Sequence, residues 1–323
     1  MRAVMVREFG PPSVLTTEKV DAPRPEAGQV LVAVELAGVV FGDTIVRSGR
    51  HPFPLPYIPG LEIGGRIVGT GQGVDAAMEG RTVVATTPQM CGGYASLALA
   101  DATSVHPVPA GLPLAQAVAT FQAGAVSLGI LAAMGVSPGD SVLVTAAAGR
   151  IGSLLVQLAK AKGATVVAGV GSTEKALAAA SFGADTVVDY SDGDWVGQVR
   201  AATDNRGVDV VLDAIGGTVG AQALDAAADG LGRIGIYGFA SGSWTKLNAY
   251  TIGRRGLTVV GPLGIAFAQP EATQHAAAEQ ALRHAAAGEL AARIHAFYAL
   301  EQAAAAHTAI ENRQTVGAVL LRP

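Results

Sequence analysis

The sequence Ser141-Val-Leu-Val-Thr-Ala-Ala-Ala-Gly-Arg-Ile-Gly152 is the most informative part of the chain, because an apolar run ends there in a turn of small residues. The turn leads into Ser153-Leu-Leu-Val-Gln-Leu-Ala-Lys160, whose apolar spacing predicts a helix. A strand, a tight turn and a helix N-terminus together can hold a dinucleotide pyrophosphate. Ala147 replaces the first glycine of that pattern, and Gly149 and Gly152 supply the other two. The predicted phosphate-binding turn consists of Ala148, Gly149, Arg150, Ile151 and Gly152.

The end of the next predicted strand, 165–170, indicates which dinucleotide is bound. A site for NADH carries a carboxylate there, about 20 positions past the glycines, which holds the adenosine ribose. Here the segment reads Gly171-Ser-Thr-Glu-Lys175, with no acid at the strand end. A serine hydroxyl and a lysine charge suit a 2′-phosphate, so the sequence favours NADPH over NADH. The predicted contacts are Gly171, Ser172, Lys175 and Tyr190. Taken alone, Lys175 would be interpreted as a solvated helix residue and Tyr190 as a packing residue.

The composition limits the classes of protein to which the chain can belong. Its 323 residues, half of them apolar, are enough for two domains. A net charge of −4, with scattered Lys and Arg, argues against a nucleic-acid or membrane partner. The one cysteine, Cys91, excludes an intrachain disulfide framework, and the charged start Met1-Arg-Ala-Val-Met-Val-Arg-Glu8 lacks the apolar core of a signal peptide. We therefore expect a cytoplasmic protein.

The segment 114–136 is long enough to span a bilayer. It contains Gln116, Thr120, Gln122 and Ser127 besides many Ala and Gly, so its transfer into lipid would be poor. We predict a buried helix that crosses between two domains, and no membrane span.

The first hundred residues alternate short apolar runs with turns rich in Gly and Pro, which predicts a small β-rich domain. The predicted strands are 2–9, 29–36, 61–69, 81–86 and 94–99.

From about residue 115 onwards, helical and strand patterns alternate, which is typical of a doubly wound parallel sheet. The predicted strands are 141–147, 165–170, 186–189, 208–212 and 231–237, and the predicted helices are 151–162, 173–182, 194–203 and 218–228. Ligands of such sheets bind outside the carboxyl ends of the strands. The turns after the last two strands therefore supply Ile215, Tyr237 and Phe239 as further predicted cofactor contacts. After an apolar run at 257–261, a helix at about 271–287 and a strand at 317–321 are expected to return to the first domain.

Five segments, in order along nearly the whole chain, resemble those of the zinc-independent quinone oxidoreductases of the medium-chain dehydrogenase/reductase superfamily. They are 1–4 with 9–12, 55–65, 146–152, 182–185 and 312–317. The resemblance implies an α/β protein with a GroES-like β-rich catalytic domain, residues 1–117 and 260–323, around a Rossmann domain with a doubly wound parallel sheet, residues 118–259. It also implies a homodimer joined through the Rossmann sheets and a cofactor contact at Arg313.

Zinc-dependent relatives bind their catalytic metal through a Cys and the His of a Gly-His-Glu motif. The matching motif here is Gly60-Leu61-Glu62, and Leu61 cannot coordinate a metal. The six histidines show no paired ligand spacing. The sequence therefore predicts no metal, and Glu62 is interpreted as a polar residue kept for folding.

By the same resemblance, the substrate pocket includes Val40, Asp43, Ile45, Tyr57 and Phe267. Val40 stands where quinone reductases usually carry an Asn, and Ile45 stands where a Tyr often follows. We therefore expect a more apolar pocket than in a typical quinone reductase.

His51 is the candidate proton donor. It lies near the position of a Tyr that is a proposed donor in the related polyketide enoyl reductases, and a histidine can donate a proton near neutral pH. A loop histidine without a catalytic role is the alternative. Arg150 replaces a usual glycine of the phosphate turn, and it either clamps the pyrophosphate or points into solvent.

These observations predict an enzyme that transfers hydride from NADPH to a quinone or another conjugated carbonyl, without a metal. An enoyl reductase that acts on an α,β-unsaturated ketone or thioester is the alternative enzyme. A non-catalytic NADPH-binding protein, similar to the zeta-crystallins, is the alternative from a different class. Without a metal to polarise a ketone, conjugated substrates are favoured over simple alcohols.

Overall fold

The computed structural model describes residues 1–323, which form two compact units. The first unit comprises Met1–Gln122 and Glu279–Pro323, and the second comprises Ala123–Ala278. From the sequence, these divisions are expected earlier, at 117/118 and 259/260. They lie later in the structure because two helices, Leu114–Ala133 and Glu271–Ala286, each begin in one unit and end in the other.

Short strands dominate the first 122 residues. They are β1 Arg2–Met5, β2 Thr16–Lys19, β3 Gln29–Val39, β4 Glu62–Thr70, β5 Thr82–Thr86, β6 Leu97–Asp101 and β7 Val105–Pro107. Helix α1 (Phe41–Arg47) follows β3, and α2 (Leu114–Ala133) follows β7. α1 and β7 are not predictable from the sequence, because each is too short to show a periodic pattern.

Strands and helices alternate in the second unit, as predicted. The strands are β8 Ser141–Val144, β9 Thr165–Val170, β10 Thr186–Asp189, β11 Val210–Asp213, β12 Arg233–Ile236 and β13 Thr258–Val260. The helices are α3 Arg150–Ala161, α4 Thr173–Ser181, α5 Trp195–Ala201, α6 Gly217–Asp225, α7 Ala249–Arg255 and α8 Pro262–Phe267. β8 ends three residues before its predicted end because the chain turns at Ala146, which has a left-handed φ of 50°.

All strands of the second unit pair in parallel, in the order β10-β9-β8-β11-β12-β13. The chain builds outwards from β8 to β10 and then returns to build β11 to β13 on the other side. This reversal between β8 and β11 is the topological switch point, where open α/β sheets bind their ligands. β8 and β11 are buried along their whole length, as their apolar sequences require.

The tail of the chain returns to the first unit, as predicted. Its elements are α9 Glu271–Ala286, β14 Ile294–Ala299, α10 Ala303–Glu311 and β15 Ala318–Arg322. β15 pairs antiparallel with β3, and β14 pairs parallel with β15. The sheet of the first unit therefore runs β14-β15-β3-β4-β5-β7, with β6 also paired to β3. The predicted fold class, a β-rich domain plus a doubly wound parallel-sheet domain, is confirmed.

Helix α2 is long and apolar enough to cross a membrane, but 61% of its most apolar window is buried within the protein. Two of its polar side chains are satisfied by backbone carbonyls: the fully buried Ser127 hydroxyl donates to the Ala123 carbonyl at 2.7 Å, and Gln116 Nε2 donates to the Ala292 carbonyl at 3.1 Å. This burial fits the predicted core helix.

Candidate cofactor and substrate sites

The turn between β8 and α3 brings the predicted phosphate-binding residues to the N-terminus of a helix. The Gly149 N–H donates to the Ala146 carbonyl at 2.8 Å and closes the turn. Gly149 is the extended residue before α3, and Arg150 is the first residue of the helix. Because the first N–H groups of a helix lack intrahelical acceptors and carry the positive end of the helix dipole, this turn suits an anion.

A close backbone contact in this turn requires Gly152. A Cβ atom on Gly152 would lie 2.2 Å from the Ala146 carbonyl oxygen, so any other residue would separate the turn from α3. A Cβ atom on Gly149 would lie 3.1 Å from the same oxygen. The five predicted residues thus span the end of the turn and the first residues of α3, and Ala148 is buried.

The end of β9 carries the residues that were predicted to select the dinucleotide. Ser172 is the N-cap residue immediately before α4, and its hydroxyl accepts the Lys175 N–H at 3.3 Å. A hydroxyl that accepts one hydrogen bond can still donate its own proton to a phosphate. A Cβ atom on Gly171 would lie 2.8 Å from the Tyr190 ring, so this ring occupies the space that an acidic side chain at position 171 would need. The structure brings Gly171, Ser172, Lys175 and Tyr190 to the same strand end.

The turns that follow β11 and β12 lie side by side. The Ala240 N–H donates to the Ala214 carbonyl at 3.0 Å, and the Ser241 N–H donates to the Ile215 carbonyl at 2.8 Å. Ile215 is 6% exposed. The parallel pairing of β11 and β12 thus continues into the turns beyond the carboxyl ends of both strands.

The two aromatic residues predicted at this edge of the sheet differ in exposure. Tyr237 is buried, and burial, together with Asp213, raises the pKa of its hydroxyl. Phe239 is half-buried and packs against Trp244, with the ring centroids 4.5 Å apart. Phe239 therefore has the more accessible ring of the two.

Polar side chains that the sequence does not single out lie beneath these turns. Asp213, at the end of β11, is fully buried, and it accepts hydrogen bonds from the hydroxyls of Thr145 and Thr245. The available signal was a single carboxylate at the end of an apolar run, Val210-Val-Leu-Asp213.

In the first unit, three of the predicted pocket residues lie in α1 or immediately before it. Val40, just before the helix, and Ile45 are half-buried apolar side chains. Asp43 is 8% exposed, and its Oδ2 accepts the Val40 N–H at 3.0 Å and the Tyr94 hydroxyl at 2.9 Å. The Asp43 carboxylate thus caps α1 and ties it to Tyr94.

Tyr57 is buried beside α1. Its ring packs against Phe53, with the centroids 4.8 Å apart, and its buried hydroxyl has no hydrogen-bond partner within the chain. Burial, and then the nearby Asp43 carboxylate, raises the pKa of this hydroxyl. Tyr57 therefore holds its proton at physiological pH and can only donate or accept a hydrogen bond.

The other three predicted site residues are exposed. His51 lies in the loop after α1, and Arg313 follows α10 with a left-handed φ of 56°. Phe267 was assigned to the first domain, but the structure places it in the second unit, because α8 follows β13 within that unit. Phe267 is 53% exposed at the end of α8.

A buried polar network beneath α1 was also missed. Besides its bond to Asp43, the Tyr94 hydroxyl lies 3.2 Å from His307 Nε2. The guanidinium of Arg47, which is 1% exposed, forms an ion pair with Glu311. The network joins α1 to α10. It left no local signal, because its members are far apart in the sequence.

Glu62, next to Leu61 in the position of the zinc-binding motif, is 1% exposed. A Cβ atom on Gly38 would lie 2.7 Å from Glu62 Oε2, so the carboxylate packs against the backbone of β3. This placement fits the interpretation of Glu62 as a residue kept for folding.

Comparison with known proteins gives matches to two family models. Residues 26–110 match the alcohol dehydrogenase GroES-like domain, and residues 151–286 match the zinc-binding dehydrogenase family. A probable quinone oxidoreductase of Schizosaccharomyces pombe is 32% identical over 98% of this chain and 96% of its own length. A 2-haloacrylate reductase of Burkholderia is 31% identical over 99% of this chain and 98% of its own.

A solved structure extends the similarity to the whole fold. The quinone oxidoreductase of Escherichia coli, crystallised with NADPH, superimposes with a TM-score of 0.91 at 28% identity, and each chain covers 100% of the other.

Proposed function

The chain belongs to the zinc-independent quinone oxidoreductase family of the medium-chain dehydrogenase/reductase superfamily, and from this we propose that it is an NADPH-dependent oxidoreductase that reduces a quinone or another conjugated carbonyl. The observation that carries the proposal is the glycine turn at the switch point of the parallel sheet. There the N-terminus of α3 and the close approach of Gly152 to Ala146 leave a cradle that a side chain would fill.

The residues around this cradle fit NADPH. The N–H groups at the start of α3 would hold the pyrophosphate, and Ser172 and Lys175 would hold the 2′-phosphate through a hydroxyl and a positive charge. Tyr190 would contribute its ring and phenol beside Gly171. Because Gly171 stands where an acid would bind the ribose of NADH, NADPH is the preferred form.

When bound, NADPH supplies a hydride to an electron-poor carbon of the acceptor. The protein itself orients the acceptor and supplies the proton that the reduced acceptor takes up. In the first unit, half-buried Val40 and Ile45 would provide an apolar surface for a flat conjugated ring. Tyr57 would offer the acceptor oxygen a hydrogen bond from a hydroxyl that has no partner within the chain.

His51 is proposed as the donor that protonates the reduced acceptor. Its position in an exposed loop gives it contact with solvent, from which it can recover a proton. Since Leu61 stands in place of a zinc ligand, no metal at that position would polarise a ketone, and a conjugated acceptor is preferred.

The test measures the oxidation of NADPH, monitored as the decrease in its absorbance. The acceptors are 1,4-quinones, enones and enoyl thioesters, each assayed in the presence of EDTA. We expect turnover of the quinones, with NADPH much preferred to NADH. Turnover of none of these acceptors, with NADPH bound, would contradict the proposal and favour a non-catalytic NADPH-binding protein.

Reduction of a conjugated carbon–carbon double bond is the second candidate. The similarity to a 2-haloacrylate reductase favours this activity, because a 2-haloacrylate reductase acts on a conjugated acrylate. In that case hydride goes to the β-carbon and a proton goes to the α-carbon. Faster turnover of enones and thioesters than of quinones in the same panel would identify this activity.

We also propose a cytoplasmic homodimer. β13 is the last strand of the parallel sheet, and its outer edge is available for pairing with the same edge of a second copy. Cys91, the single cysteine, forms no disulfide and fits a reducing compartment.

A further inference from the structure

The carboxylate of Asp213 lies beneath the turns that follow β11 and β12. It is the last residue of β11, it is 0% exposed, and it lies at the switch point between β8 and β11. A carboxylate loses a large hydration energy on burial, so its position has to be compensated by hydrogen bonds.

The hydrogen bonds of Asp213 come from three separate segments. Its Oδ1 accepts the Thr145 hydroxyl at 3.1 Å, from the end of β8, and the backbone N–H of Ile215 at 2.9 Å and of Gly216 at 3.2 Å. Its Oδ2 accepts the Thr245 hydroxyl at 2.5 Å, from the loop after β12. One side chain thus connects the ends of β8 and β11 with the loop that follows β12.

Close packing shows that the connection to Thr245 is built into the fold. A Cβ atom on Gly220 of α6 would lie 2.1 Å from Thr245 Oγ1 and 2.4 Å from Asp213 Oδ2. A Cβ atom on Gly216 would lie 2.2 Å from the carbonyl oxygen of Ser243. Glycine at both positions leaves room for the loop of Thr245 to lie against the turn after β11.

The two halves of the sheet bind different halves of a dinucleotide. The β8–β10 half carries the phosphate turn and the residues proposed for the adenosine 2′-phosphate. The β11–β13 half, with Ile215 and Phe239 in its turns, is therefore the nicotinamide half. Asp213 ties the turns of this second half to each other and to β8.

We propose that Asp213 and Thr245 are positioning residues that fix the turns around the nicotinamide ring. They thereby set the orientation of the ring for hydride transfer. They do not contribute to binding of the adenosine end. The proposal rests on the proposed NADPH-dependent function. A displacement of the reacting ring by about 1 Å can cost about a hundredfold in rate, so loosening of these turns would reduce hydride transfer strongly.

The experiment compares T245V with T245S and with a control, T186V, on β10 of the adenosine half. Three quantities are measured for each: the affinity for 2′,5′-ADP, which occupies the adenosine end only; the fluorescence of bound NADPH, which reports the surroundings of the nicotinamide; and the single-turnover rate of NADPH oxidation by 1,4-naphthoquinone. For T245V we expect unchanged 2′,5′-ADP affinity, weaker nicotinamide fluorescence and a rate reduced by about tenfold or more. T245S and T186V should behave as wild type.

A T245V protein with unchanged fluorescence and rate would overturn the proposal, and so would one that loses 2′,5′-ADP and NADPH affinity equally. D213N, which keeps the shape but exchanges an acceptor oxygen for an NH₂ donor, should show the same pattern as T245V more strongly. Failure of the proposed function would look different, because the wild-type protein itself would then bind no NADPH or oxidise none.

Discussion

The hydroxyl of Tyr94 donates a hydrogen bond to Asp43 Oδ2 at 2.9 Å, and both residues are buried in the first unit. His307 Nε2 lies 3.2 Å from the same hydroxyl. Because the Tyr94 proton goes to Asp43, the His307 ring donates to the Tyr94 oxygen through Nε2–H. Burial lowers the pKa of His307, so the ring is neutral at physiological pH. This chain of hydrogen bonds joins α10 to the start of α1, which carries the proposed substrate-contacting residues.

Replacing Tyr94 by Phe should destabilise the protein. The change leaves the buried Asp43 with one donor fewer and His307 without its acceptor, and unsatisfied buried groups cost about 1–3 kcal/mol each. The free energy of unfolding in urea measures the effect. Tyr250→Phe, at a residue that is 75% exposed, is the matched control and should leave stability unchanged. Equal stability of the two variants would show that the hydrogen bond contributes nothing.

His307 should make the stability of the protein depend on pH. Burial, reinforced by the charge of Arg47, lowers the pKa of His307 to about 3. The unfolded chain takes up this proton at about pH 6.5, so the contribution is fully present above that pH and is lost as the pH falls from about 6.5 towards 3. The slope attributable to His307 approaches about 1.4 kcal/mol per pH unit.

Unfolding of wild type and of His307→Gln at a series of pH values checks this prediction. The variant should be less stable at neutral pH but should lose less stability on acidification. His51→Gln, a change in an exposed loop, should retain the wild-type slope. Parallel pH profiles for wild type and His307→Gln would contradict the assignment.

Gly152→Ala should weaken NADPH binding. The new Cβ atom would lie 2.2 Å from the Ala146 oxygen, which is a backbone atom, so the phosphate turn must move away from α3. We expect a loss of about tenfold or more in affinity, equivalent to about 1.4 kcal/mol, by calorimetric titration. The control is Gly193→Ala, where a Cβ atom would meet nothing within 4 Å. Unchanged affinity in Gly152→Ala would mean that the turn does not hold the pyrophosphate.

Lys175→Ala should reduce the preference for NADPH over NADH. Loss of a charge-assisted hydrogen bond to the 2′-phosphate costs about 1.5–3 kcal/mol, so the KM for NADPH should rise about tenfold or more while the KM for NADH stays constant. The exposed Lys162, just after α3, provides the control Lys162→Ala. A similar rise in both KM values would assign Lys175 a structural role.

Val259→Pro should weaken the proposed dimer. The Thr258 N–H donates to Gly232 inside the sheet, so the alternate N–H of Val259 points to the outer edge of β13. Proline removes this donor from any strand that pairs there. Light scattering should give the mass of two 32.4 kDa chains for wild type and a concentration-dependent lower mass for the variant. A wild-type monomer would refute the proposed assembly.

The turn at Gly149 and Gly152 and the alternating strands and helices of the second unit were predictable from the sequence. Each depends on neighbours within a few residues: an apolar run forms the strand, small residues allow the turn, and the apolar spacing of 153–160 forms the helix. The missing carboxylate after β9 was predictable for the same reason, because the strand itself fixes where such an acid would stand.

Only the tertiary structure shows the groups that hold these turns and α1 in place. Asp213 meets Thr245 across 32 positions, and Tyr94 meets His307 across 213. In the sequence each is a single polar residue without a periodic pattern. The partner of each residue is determined by which strands and helices pack together. The charge state of the residue and the strength of its hydrogen bonds depend on burial, which local residue order does not specify.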